Sequence, residues 1–122
     1  MKKFITTVKD QGPMRTRSMI EINETMVDRQ KRLTIWNLME VMNQIKSNRC
    51  ALRIDGKEYK ERVKNIELKL YRNANLGDTL TIESSFSTKG RKQVDLKIYV
   101  SRKTSGQPAR RVCKAVYTLN IL

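Results

Sequence analysis

The sequence predicts an α+β domain in which an antiparallel sheet of about five strands wraps one central helix. Three observations carry that prediction. Only one long stretch, Leu33 to Ser47, has the spacing of a helix. The residues beyond Glu61 instead alternate apolar and polar with a period of two, the signature of strands with one buried face. Turn chemistry separates those runs at Leu76-Gly77-Asp78, Lys89-Gly90-Arg91 and Ser105-Gly106-Gln107-Pro108, as antiparallel hairpins require. One helical stripe needs one concave sheet face to bury it, and a strongly twisted sheet supplies that.

In the helix, Ile35, Leu38, Met39 and Met42 follow the i, i+3, i+4, i+7 rule, and Leu38, Val41, Met42 and Ile45 repeat it a turn later. Asn37, Glu40, Asn43, Gln44 and Ser47 gather on the opposite side, and Trp36 falls among them. Before the helix, Arg17 to Met26 reads as a strand with Ile20 and Ile22 on one face and Met19, Glu21 and Asn23 on the other. After it, Asp55-Gly56 is a hairpin signal between 51–54 and 57–60. The next strands bury Ile66, Leu68 and Leu70; then Leu80, Ile82 and Phe86, with Ser84 between; then Val94, Leu96, Ile98 and Val100; then Cys113, Ala115, Tyr117, Leu119 and Ile121. Residues 1–16 form an arm, broken at Gly12-Pro13 and with room for one short strand; residues 17–122 form the domain.

Length and composition bound the function. A chain of 122 residues fits one domain, and at this size folding buries somewhat over ~60% of the extended surface without a metal or disulfide staple. There is no histidine, which removes Ser-His, Cys-His and most zinc chemistry, and no metal site is expected. Cys50 and Cys113 lack metal-ligand spacing and read as reduced packing residues, which with the absence of a signal peptide makes the cytoplasm the default. No apolar run approaches the ~20 residues of a membrane span. The net charge of +14 favours an anionic partner. Nucleic acid ranks last among such partners, because aromatics are only 6% of the chain and do not gather on one strand pair.

The order strand, long helix, then four antiparallel strands resembles the hotdog fold of the acyl-CoA and acyl-carrier-protein thioesterase superfamily. Two stretches carry the resemblance. Ile66 to Phe86, IELKLYRNANLGDTLTIESSF, is similar to a family strand, its "rP-v--GD-l" turn and the next strand, with Asn73 or Ala74 in place of the usual proline. Met26 to Ile45, MVDRQKRLTIWNLMEVMNQI, is similar to the "v-D/N-x-x-G" segment that leads into the central helix. Lys31 stands where the family has its glycine, and Ile35 and Trp36 stand where some members have paired small residues.

The resemblance implies an acyl thioester hydrolase without a cofactor, acting on an acyl-CoA or an acyl carrier protein. It assigns Asp28 as base or nucleophile and Asn43 to the position of the helical carboxylate, with Glu40 a turn earlier. Such chemistry needs N–H donors where the oxyanion forms, and the backbone of Leu33 and Thr34 at the helix start is the expected source, with Trp36 beside it. Arg91 and Arg102, at strand ends, are expected to reach a phosphate. The family's sites lie between subunits, so a homo-oligomer, dimer or tetramer, is implied. Two other readings stand beside this one: a hotdog domain that binds an acyl thioester or carrier protein without catalysis, and a basic nucleic-acid-binding β domain.

Overall fold

The computed structural model describes residues 7–10, 15–50, 61–88, 90 and 92–121. Six strands and one helix follow one another: β1 (Thr7–Asp10), β2 (Arg15–Glu21), α1 (Ile35–Cys50), β3 (Glu61–Leu70), β4 (Thr79–Thr88), β5 (Gln93–Lys103) and β6 (Arg110–Ile121). They form one sheet in the order β1-β2-β4-β5-β6-β3, with every neighbouring pair antiparallel. Strands β2 to β6 are the five expected of the domain; β1, from the arm, adds a short sixth at the β2 edge. The hairpin expected at 51–60 and the position of Arg91 lie outside the described residues. Among the described residues no helix is long and apolar enough to cross a membrane.

Alternation along the strands decides which residues meet α1. Strands β2 and β4 contribute Ile20, Leu80 and Ile82, β5 contributes Leu96, Ile98 and Val100, and β6 contributes Cys113, Ala115, Tyr117 and Leu119, all buried. Leu38, Val41, Met42 and Ile45 of α1 close the core from above. Each fully buried side chain of this size stabilises the fold by roughly 1.5–3 kcal/mol relative to exposure. A polar seam edges the core: Thr16 and Ser84 share a buried 2.7 Å hydroxyl contact, and Tyr117 Oη donates at 2.9 Å to Oδ1 of the exposed Asn43. Burial pushes the Cys113 thiol up to about 12, so it packs as a small apolar group against Met42.

Three expectations change. The strand before the helix ends at Glu21, and Glu24–Met26 is a 3-10 turn capped by Asn23, whose side chain accepts from Thr25 N. Ile35 lies on the predicted stripe yet is 44% exposed, because α1 covers the middle of the sheet and not its β3 margin. For the same reason β3 does not bury its apolar face: Ile66 is 42% and Leu70 54% exposed, and Leu68 is half-buried. The register opposite Tyr117, Ala115 and Cys113 puts all three on the helix side, but β3 is the sheet's edge and the helix stops short of it.

Candidate active site

The segment from Met26 to Thr34 is a tight loop closed on itself and against the β3–β4 connection. Val27 and Leu33 form one isolated bridge, Arg32 and Asn75 another. Within it, Asp28 Oδ1 accepts from the backbone N–H of Gln30 at 2.8 Å and of Arg32 at 3.0 Å, while Oδ2 faces Arg32 Nε at 3.5 Å. The Arg32 backbone N–H foremost, then that of Gln30 and the guanidinium charge, hold the Asp28 carboxyl below its usual range. Lys31, at the family's glycine position, has a φ of 64°, the left-handed conformation that glycine adopts without strain.

The Leu76-Gly77-Asp78 turn anchors this loop. Gly77 has a φ of 88°, and the buried Asp78 accepts from Asn75 N and from Thr104 Oγ1, each at 2.9 Å. Leu76 N donates to Lys31 O and Leu33 N to Ala74 O, both at 2.8 Å. Asp78 is thus a structural clamp that sets where the helix begins.

Thr34 caps α1. Its Oγ1 accepts from Asn37 N at 3.2 Å and from Asn37 Nδ2 at 2.8 Å, and Asn37 Nδ2 also donates to Met26 O. The donors expected at Leu33 and Thr34 are therefore already used, since Thr34 N donates to Met26 O. The first-turn N–H groups that remain open, among the described residues, are those of Ile35 and Trp36. The sequence held the signal for this shift: Thr34 is the nearest capping residue, and a cap moves the orphan donors to the positions after it.

A groove of about 280 Å³ lies against that first turn. Leu33, Ile35 and Leu38 form one wall; Leu70 to Ala74 and Val112 form the other. Asp28, Asn43, Trp36 and Arg102 do not line it. Asn43 is instead held by Tyr117, Arg102 donates to Asn73 O at 2.7 Å, and Trp36 stands 81% exposed. Arg72, which no sequence motif singles out, stands in the groove wall and donates to Arg111 O. Together, Arg72, Arg102, Arg110 and Arg111 gather at this end of the sheet, two of them pinned by a backbone carbonyl. No group of three or more His, Cys, Asp or Glu that would hold a metal ion occurs among the described residues.

Solved structures share this architecture along nearly the whole chain. The 4-hydroxybenzoyl CoA thioesterase of Pseudomonas sp. strain CBS-3 superimposes with a TM-score of 0.75 at 18% identity, over 88% of this chain and 84% of its own. A hypothetical thioesterase protein of Streptococcus pneumoniae TIGR4, solved with coenzyme A, gives 0.76 at 15% identity, over 95% and 84%. A Streptococcus mutans UA159 protein bound to acetyl CoA gives 0.74 at 14% identity, over 99% and 90%. This chain has the hotdog fold. No family model matches the sequence, and no curated protein matches it. The hotdog domain here keeps the neighbours' helix-in-sheet arrangement at identities too low to carry function with it.

Proposed function

We propose that this hotdog domain is an acyl thioester hydrolase acting on an acyl-CoA or acyl-carrier-protein substrate. The observation that supports it best is the groove: an apolar channel whose wall is the first turn of α1, with the Ile35 N–H open there and that of Trp36 next along the helix. An acyl chain suits the apolar walls, and a carbonyl oxygen that gains charge suits a helix N-terminus. Asp28, kept ionised in the loop that feeds the helix, is the carboxylate of the reaction. It attacks the carbonyl carbon or takes a proton from the water that does; the C–S bond then breaks and the thiolate leaves, to be protonated by solvent. In the first case water then hydrolyses the acyl–Asp28 anhydride to release the acid and restore the carboxylate. Arg72, Arg102 and Arg110 offer donors to the phosphates of the carrier. The cytoplasm, where a free thiol such as Cys113 stays reduced, fits this role.

The working unit in this reading is a homodimer. Val63, Ile66 and Leu70 leave an apolar strip on an open sheet edge, and Ile35 and Trp36 lie exposed on α1. A second copy paired there covers that strip and brings its own Asp28 loop to the site, as in a family whose sites lie between subunits.

Asp28→Asn keeps the size and the two backbone hydrogen bonds and removes the charge. Thiol release measured over a panel of acyl thioesters should fall on the order of 10²-fold or more in this variant, with an unchanged melting curve. Equal rates in a well-folded variant reject Asp28 as the catalytic carboxylate. A second reading draws on the same loop: because Asp28 Oδ1 already holds two backbone N–H groups, the domain binds the thioester without cleaving it. A parent that binds coenzyme A but releases no thiol from any substrate selects that reading.

A further inference from the structure

The sheet face turned away from α1 brings together residues that lie far apart in the chain. The register places Tyr99 of β5 beside Lys114 of β6, and Lys114 beside Lys69 of β3. Arg111 faces Ser101 one step along the same pair of strands. The Arg111 guanidinium lies 4.6 Å from the Tyr99 ring centroid, and Lys114 Nζ lies 5.7 Å from it. Lys69 Nζ lies 5.5 Å from the Tyr71 ring, which is 44% exposed just past the end of β3. Two tyrosines and three cations thus interleave across three adjacent strands, a width of roughly 10 Å at the usual strand spacing. On the far side of Tyr99 the same face carries Lys97, Arg15 and Arg17, which border a second groove of about 390 Å³ or stand next to it. The acids of this face are Glu21 at the end of β2, Glu83, paired in register with Tyr99, Glu67, two residues from Lys69, and Asp95, which accepts from Thr118 Oγ1. None of them stands between Tyr99 and Lys69.

Chemistry distinguishes the partner. A protein interface wants an apolar, aromatic centre with charges at its rim, and here charges occupy the centre. Among and beside them lie the hydroxyls of Thr81, Ser85 and Ser101, a kind of group that donates to phosphate oxygens. Rings with flanking cations serve a strand whose bases stack and whose phosphates are neutralised at the same time. We propose that this outer face, centred on Tyr99, Arg111, Lys114, Lys69 and Tyr71, binds single-stranded nucleic acid without sequence preference. The function is separate from thioester hydrolysis, and every one of these residues except Tyr71, which also borders the groove at the start of α1, stands on the side of the sheet opposite the helix.

Fluorescence anisotropy of the full chain with a labelled oligouridine and the matching oligothymidine, each of about a dozen nucleotides, tests it. Binding at low salt should weaken as salt rises, with a log–log slope of roughly −2 to −3 for three or four phosphate contacts. Neutralising Lys69 and Lys114 together to Gln should reduce that slope by about 1.4, and Tyr99→Leu or Tyr71→Leu should weaken binding roughly tenfold. Neutralising Arg29, Lys92 and Arg110 lowers the net charge more than the double variant does, yet should change affinity less. Asp28→Asn should leave oligonucleotide binding intact, so the two functions fail separately. Preference for one oligomer over the other assigns the strand as RNA or DNA. No binding at low salt overturns the proposal. So does equal loss in the off-face variant, or equal affinity for polyglutamate or for vesicles of phosphatidylserine and phosphatidylcholine, since charge alone then explains the binding. Should Tyr99→Leu fail to fold, Tyr71→Leu, at an exposed position, decides the same question.

Discussion

Along β5, Leu96, Ile98 and Val100 alternate with Asp95, Lys97, Tyr99 and Ser101, so one strand serves two surfaces. The inner set is fully buried against α1. The outer set holds a half-buried lysine and a tyrosine with two cations over it. The difference teaches that stability and recognition are carried by opposite halves of the same strand. Inner positions are interchangeable in character, all apolar, because what matters is area removed from water. Outer positions differ from one another, because what matters there is which groups become neighbours across strands.

The sharpest way to break this division is to truncate one residue of each kind. Ile98→Ala should lose about 2–5 kcal/mol in a denaturant titration, as deletion of a buried branched side chain does, whereas Lys97→Ala next to it should stay within about 0.5 kcal/mol. Comparable losses at both positions would mean the outer face supports the fold after all. The margin of the inner face gives a second, smaller test. Ile66, Leu70 and Trp36 are apolar but uncovered in one chain, and a partner that covers them should make Trp36 a hot spot. Trp36→Ala should then weaken the dimer by about 2 kcal/mol or more, read by sedimentation at micromolar concentration. A parent that sediments as a monomer leaves that margin of the inner face without the cover assigned to it. The smallest effect belongs to the polar seam. Tyr117→Phe removes the bond to Asn43 and should cost about 1 kcal/mol, with the packing of the ring unchanged. No loss would mean that the amide finds water as readily as the phenol.

Acid titration of the Asp28 loop would sharpen the picture of the site. Its carboxyl pKa is lowered on folding, so the ionised group stabilises the fold fully above the ordinary carboxylate value, and that contribution is lost as pH falls through the folded value. Lys31 illustrates how much of this loop the sequence disguised. A lysine there reads as a departure from the glycine pattern, yet its φ of 64° is the left-handed conformation that glycine favours, reached at a modest backbone cost.

Local spacing is enough to give the elements, their order and most of the inner face. Helical period at Leu33 to Ser47 and period two afterwards are local properties, and burial enforces them, so Leu38, Val41, Met42, Ile45 and the alternating residues of the inner strands are legible from spacing alone. The Gly77-Asp78 turn is legible too, because positive φ and a short polar side chain leave a chemical mark. Only the tertiary structure decided what depends on register and edges. It made β3 an open margin despite its apolar alternation, since whether a face is covered depends on how far α1 reaches. It moved the open helix N–H groups from Leu33 and Thr34 to Ile35 and Trp36, since the first pair is consumed by Ala74 and Met26, 41 and 8 residues away along the chain. And it set Tyr99, Lys114 and Lys69 side by side, a grouping that no single strand contains, because cross-strand neighbours are chosen by hydrogen-bond register and not by sequence distance.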